Sequence, residues 1–309
     1  MINNRQLGHS DLQVSEISLG CMNLGTNATQ AKHIIDTALD QGINYLDTAD
    51  LYDFGENEKV VGQAIKGKRD QITLATKGGN HFEPGKDDWY WDPSKTHLKE
   101  AIKNSLHRLG VDDVDLYQLH GGTIEDPTDE TIEAFEELQQ EGLIRYYGIS
   151  SIRPNVIKTF LEKSNMTSVM MQYSLIDRRP EEEILDLLNK NNVGVVARGS
   201  LGKGMLTSQG QTQWQKKGQN GFLDSDADQL HRVVTSLQDL ASEHDVSPQS
   251  LAIGYALKNP ALSSLVLGAS KPEQVLDNVK AYQNSHISDD VYQQLKKLTH
   301  SNIYDKHRK

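Results

Sequence analysis

The feature that most constrains this chain is an alternation. Short apolar runs recur eight times, and each is followed by a longer stretch with helical periodicity. Strands are predicted at 17–20, 43–48, 72–77, 114–120, 144–149, 169–172, 193–197 and 265–267. Helices are predicted at 29–41, 56–65, 94–109, 128–140, 154–162, 181–189, 229–243 and 272–282. Runs such as 194–197 are apolar on both faces, as a parallel sheet covered by helices requires. Gly42, Gly110 and Gly142 follow helical stretches, where a left-handed residue closes the last turn. Eight βα units over about 250 residues is the size of a (β/α)8 TIM barrel. A doubly wound sheet shares the alternation and is the alternative.

Further segments decorate the repeat. Residues 5–7, a turn at 8–11 and residues 12–14 read as an N-terminal hairpin able to cap the barrel floor. Extra helices are predicted at 247–258 and 289–298. The stretch 207–228, rich in Gln, Gly and Asp, has no clear period and reads as a mobile rim loop. No break in composition divides the chain, so residues 1–309 read as one domain. No apolar run approaches the ~20 residues that span a bilayer. The N-terminal MINNRQLGHSDLQ lacks a charged segment followed by an apolar core. Cys21 is the single cysteine, which fits a reducing compartment. A cytoplasmic location is therefore expected. The net charge of −11 opposes nucleic acid and anionic membranes as partners.

In such a barrel, function gathers where strands end and βα loops begin. The second predicted strand ends at Asp47, with Tyr52 in the loop after it. The third ends at Lys77 and the fourth at His120. Adjacent strands lie only ~4.8 Å apart, so these four groups share one rim. A phenol, with a usual pKa of ~10, moves a proton near neutrality only if a cation stabilises its phenolate. Lys77 can be that cation, Asp47 can keep it charged, and His120 can donate to a carbonyl oxygen. No side chain supplies a hydride, so a cofactor is required.

Asn44 through Tyr52, with Gly55-Glu56-Asn57-Glu58 behind, resembles the first signature of the aldo-keto reductases. Ala75-Thr76-Lys77 and Asp115 through His120 resemble the segments that carry the family's lysine and histidine. The resemblance covers nearly the whole chain. It implies an NADP(H)-dependent reductase of aldehydes or ketones, with Tyr52 as general acid assisted by Asp47 and Lys77, and His120 orienting the carbonyl.

The resemblance also implies a cofactor site. Gly20, Cys21 and Met22 follow the first strand. Ser150, Ser151 and Gln172 match positions that hold the nicotinamide carboxamide, although the usual asparagine at 151 is serine. Arg198 stands where many members stack a tyrosine on the nicotinamide, and a guanidinium plane can stack likewise. Gly199, Ser200, Leu201, Gly202 and Gly204 resemble the loop along the pyrophosphate. Gly268, Ser270, Lys271, Gln274, Asp277 and Asn278 resemble the adenosine-phosphate segment at a helix N-terminus. An arginine common at position 274 is absent. No Rossmann or Walker A pattern occurs.

Trp89, Tyr90 and Trp91 are expected in the loop after the third strand, walling a substrate pocket for flat or apolar carbonyl compounds. His9, His33, His81 and His97 show no metal-ligand spacing, so no metal site is expected. Two other readings compete: a Schiff-base lysine at Lys77, and an NADP(H)-binding redox sensor or regulatory subunit with little turnover.

Overall fold

Eight parallel strands close into a barrel in a computed structural model that describes residues 1–83 and 85–308. Two strands precede the barrel. β1 (Asn4–Gln6) and β2 (Gln13–Ser15) form the N-terminal antiparallel hairpin. The staves begin with β3 (Ile17–Gly20), β4 (Tyr45–Asp47) and β5 (Thr73–Gly78). A second hairpin, β6 (Asn80–Phe82) and β7 (Trp89–Trp91), interrupts the series. The barrel resumes with β8 (Val114–Leu119), β9 (Ile144–Ser150), β10 (Ser168–Gln172), β11 (Gly194–Arg198) and β12 (Leu262–Gly268). β12 returns to pair with β3, which closes the ring and excludes the doubly wound alternative.

Helices α1 (Ala28–Asp40), α2 (Glu56–Ile65), α3 (Lys95–Leu109), α4 (Thr128–Gln140), α5 (Pro154–Lys163) and α6 (Ile184–Lys190) follow the first six staves. α7 (Gly210–Lys217), α8 (Ala227–Glu243) and α9 (Pro248–Leu257) lie between β11 and β12, and α10 (Pro272–Gln283) and α11 (Asp289–Leu298) end the chain. Their starts are set locally. Asn27 accepts the Gln30 N–H at α1, and Ser94 accepts that of His97 at α3, satisfying N–H groups that the first turn leaves free. No helix among the described residues is long and apolar enough to cross a membrane.

Two apolar clusters hold the fold. The larger lies between the staves and the helices. The smaller fills the barrel itself with Tyr45, Ala75, Leu116, Met170 and Val196, and Leu7, Leu12 and Val14 of the hairpin segment plug its floor. Near that floor Ser264 Oγ donates to the Ser15 carbonyl at 2.7 Å and pairs with the Ser18 hydroxyl at 2.8 Å. β12 extends further toward its N-terminus than its apolar run suggests because Leu262 and Ser264 pair with Val195 and Val196 of β11, and the Ser264 hydroxyl is satisfied inside.

Two expectations are corrected. The stretch 207–228 is not a featureless loop, because it contains α7. That helix is polar, and Trp214 pins it by donating to the Ala227 carbonyl and stacking on His231 at 4.1 Å. A single anchor leaves no apolar stripe in the sequence to read. Likewise Trp89, Tyr90 and Trp91 form a strand paired to Asn80–Phe82 rather than a loop. Each strand has three residues, too few for a visible period.

Candidate active site

Side chains alternate across a strand, so the barrel-filling residues fix which ones face inward two positions later. Tyr45, Ala75, Leu116 and Val196 are followed on that face by Asp47, Lys77, Gln118 and Arg198. The polar layer is thus the direct continuation of the apolar core toward the C-terminal rim.

Lys77 is fully buried. Its Nζ donates to Asp47 Oδ1 at 2.5 Å, to the Thr48 carbonyl at 2.7 Å and to Tyr52 Oη at 3.4 Å. Gln118 Nε2 donates to the other Asp47 oxygen at 3.3 Å. Burial works against the charge of both partners. On Asp47 burial dominates and the carboxyl is raised, with Lys77 and Gln118 pulling part of it back. On Lys77 burial alone would lower the ammonium, but Asp47 and Tyr52 outweigh it and the net direction is up. The raised ammonium is the direction that decides the chemistry. It keeps Lys77 protonated, and a protonated lysine is no Schiff-base nucleophile.

Tyr52 opens a tight turn in which Asp53 and Phe54 both adopt left-handed backbone, with φ of 48° and 50°. Such a conformation costs non-glycine residues roughly 1–2 kcal/mol each, so the surroundings must enforce it. Two buried ties do so. Thr48 Oγ1 donates to Asn57 Oδ1, and Asn57 Nδ2 donates to the Cys21 carbonyl. Fully buried Glu58 accepts from Thr76 Oγ1 and from Arg108. The Asn57-Glu58 pair therefore links the ends of β3, β4 and β5 to α2 and α3 beneath the tyrosine.

His120 follows β8 and meets the Tyr52 ring edge-on, with centroids 5.8 Å apart. One edge of the half-buried ring reaches the cleft, while Nδ1 is enclosed and has no hydrogen-bond partner among the described residues. Burial first, then the charges of Lys77 and Arg198, push its pKa down to about 3. The imidazole is neutral at ordinary pH and keeps one N–H to donate.

A cleft of about 1840 Å³ runs from these residues across the rim, well beyond the ~300–1,000 Å³ of common small-molecule sites. Asp47, Tyr52 and His120 form its inner end. Of the expected cofactor residues, Gly20, Cys21, Met22, Ser150, Ser151, Arg198, Gly199, Ser200, Leu201, Gly204, Gly268, Gln274, Asp277 and Asn278 line it. Ser200 Oγ is buried without a hydrogen-bond partner among the described residues. An elongated cleft with such an orphaned donor fits a dinucleotide.

Other expected residues stand elsewhere. Gln172 lies behind the lining, accepting from Arg198 Nη1 at 3.1 Å and donating to Asp177 at 2.8 Å. Gly202 sits behind the wall, and exposed Lys271 precedes α10 outside it, as does Ser270. Trp89 and Trp91 line the cleft, but Tyr90 turns away to stack on His81. Sequence reasoning missed Lys217 and Lys280, and Gln249 at the start of α9; with Lys203, which lies inside the expected pyrophosphate loop, the two lysines bring three cations to the lining. It also missed Gln118, whose place two residues before His120 on an inward face was the available signal. Burial raises the Cys21 thiol, so Cys21 is an inert part of the wall.

Known proteins are similar to this chain in sequence and in fold. The aldo/keto reductase family profile matches residues 16–300. An uncharacterized oxidoreductase of Bacillus subtilis, YqkF, is 52% identical over 305 residues, covering 98% of this chain and 99% of that protein. The NADH-specific methylglyoxal reductase of Escherichia coli is 31% identical, covering 92% and 94%. The holo form of aldo-keto reductase AKR11C1 from Bacillus halodurans superposes with a TM-score of 0.93 at 50% identity, covering both chains completely. With barrel, rim chemistry and sequence all in agreement, this chain belongs to the aldo/keto reductase family of oxidoreductases.

Proposed function

We propose that the protein reduces aldehydes or ketones to alcohols with NADP(H), and that Tyr52 delivers the proton. The observation that carries this reading is the position of Lys77 Nζ, held against Asp47 at 2.5 Å and directed at Tyr52 Oη at 3.4 Å at the inner end of the cleft. A bound nicotinamide dinucleotide supplies the hydride.

This chain's residues manage the proton and the developing charge. As negative charge grows on the substrate oxygen, the Tyr52 O–H donates to it. The phenolate left behind faces the Lys77 ammonium, which Asp47 keeps charged in a dry site where the interaction is stronger than in water. Neutral His120 donates a second hydrogen bond to the same oxygen and fixes its angle. Ser150 and Ser151 would hold the carboxamide, and Gln172 would act from behind by steadying Arg198, whose guanidinium plane would stack on the nicotinamide. Lys203, Lys217 and Lys280, which line the cleft, would offer charges to the cofactor's phosphates. Apolar carbonyl substrates suit the exposed wall made by Trp89 with Met22.

The test compares Tyr52→Phe with wild type. Turnover with NADPH and a panel of aldehydes is expected to fall by the ~10²–10⁴-fold typical of losing a general acid, while NADPH binding, followed by fluorescence, stays within twofold. Unchanged turnover removes Tyr52 from the acid role. NADPH binding by wild type without oxidation by any carbonyl compound supports a redox-sensing subunit instead.

A further inference from the structure

The hairpin beside the cleft brings together three groups that the proton chemistry does not use. His81 lies on β6, Asp92 directly follows β7, and His97 sits in the first turn of α3. They are separated in sequence, but the antiparallel pairing of His81 with Tyr90 folds them into one place. One donor atom from each lies within 4.8 Å of the other two. His81 Nδ1 is 3.6 Å from Asp92 Oδ2.

The free atoms are the ligating ones. His81 Nδ1 and His97 Nε2 are both enclosed and without a hydrogen-bond partner among the described residues. Such orphaned ring nitrogens call for an explanation, since buried polar atoms are ordinarily satisfied. Asp92 divides its carboxylate: Oδ1 accepts the Ser94 N–H at 3.1 Å, and Oδ2 faces His81. The backbone fixes two of the donors as well. The Asp92 N–H reaches the Gly79 carbonyl at 2.9 Å, and the His97 N–H reaches the Ser94 cap.

We propose that His81, Asp92 and His97 form a site for a divalent transition-metal ion of the zinc class, clipping the β6–β7 hairpin to α3. Two imidazoles and one carboxylate suit such ions, with water completing the coordination. Tetrahedral bonds of ~2.0–2.2 Å need donors roughly 3.3–3.6 Å apart. The His81–Asp92 pair already meets that spacing. His81 and His97 now stack at 4.6 Å with an interplanar angle of 22°, so ligation turns the two rings until their lone pairs converge. The consequence reaches the cleft, because β7 also carries Trp89 and Trp91, which line it. An ion here steadies that wall. The inference does not depend on the catalytic reading, since it uses none of the same residues.

The full-length protein, stripped with a chelator, is titrated with Zn²⁺ by calorimetry and with Co²⁺ by visible absorption. One saturable equivalent and the intense bands of four-coordinate cobalt are expected. His81→Ala and His97→Ala should each weaken binding by more than the ~10–100-fold that loss of a merely supporting residue costs, and His33→Ala on exposed α1 should not. Asp92→Asn keeps an oxygen for the Ser94 N–H and guards against misfolding, and it too should weaken binding while its far-ultraviolet circular dichroism stays that of wild type. Absence of saturable binding in wild type overturns the site. So does zinc binding that survives both histidine replacements, which places the ion elsewhere.

Discussion

Replacing His120 by glutamine should remove a specific acid sensitivity from the folded protein. An unfolded histidine titrates near ~6.5, whereas burial and the charges of Lys77 and Arg198 push His120 down to about 3. Below pH 6.5 the unfolded chain therefore binds a proton here that the folded chain refuses. The stabilisation is fully present above 6.5 and is lost as pH falls toward 3. At pH 5 the loss from this residue is at most about 2 kcal/mol relative to pH 8, since each pH unit between the two pKa values is worth ~1.4 kcal/mol. His120→Gln cannot take up that proton and should not show it. The assay is urea unfolding of both proteins at pH 8 and pH 5. All other titrating groups contribute nearly equally to the two proteins, so the difference of the two pH differences isolates His120. An equal loss in wild type and variant refutes the claim that the imidazole is held neutral, and with it the assignment of a neutral N–H donor.

The Lys77–Asp47 pair, with side chains 1% and 4% exposed, supports a second expectation. Lys77→Met should destabilise by the ~3–5 kcal/mol that stranding a buried charge costs, and adding Asp47→Asn should recover much of it; thermal unfolding that shows simple additivity contradicts this. At the far end of the cleft, Gln274 spends its Oε1 on the Ser270 N–H and Oγ, so it offers a phosphate no charge. Gln274→Arg should tighten NADPH over NADH by roughly 10–100-fold, from a charge-assisted bond worth ~1.5–3 kcal/mol; equal changes in the two dissociation constants place the 2′-phosphate elsewhere.

The candidate catalytic group was legible because its members sit at the ends of successive strands, where chain position alone sets place and direction. Once the alternation is seen, Asp47, Lys77 and His120 follow from the barrel's geometry, and Tyr52 from the loop between them. The same logic reaches Gln118, but an uncharged amide draws no attention in a search for titratable groups. Asn57 and Glu58 were visible as letters of a motif. Their work of bracing the left-handed turn at Asp53 and Phe54 depends on partners on other elements, Cys21, Thr48, Thr76 and Arg108, which no local pattern announces.

The cations show where that reading stops. Lys271 looked placed for a phosphate because it precedes a helix start, and a helix start attracts anions wherever it points. Which way it points is a tertiary fact: α10 turns Gln274, Asp277 and Lys280 to the cleft and leaves Lys271 outside the lining. Lys217 reaches the same cleft from within the segment 207–228, which had no readable period because α7 is folded by Trp214 and not by an apolar stripe, and Lys203 reaches it from just before that segment. His81 and His97 extend the point. Their separation along the chain resembles no ligand spacing, and a short hairpin cancels that separation. Strand-end chemistry is encoded in order along the chain, whereas chemistry assembled by hairpins and rim helices is encoded in pairings, and those become visible when the chain is folded.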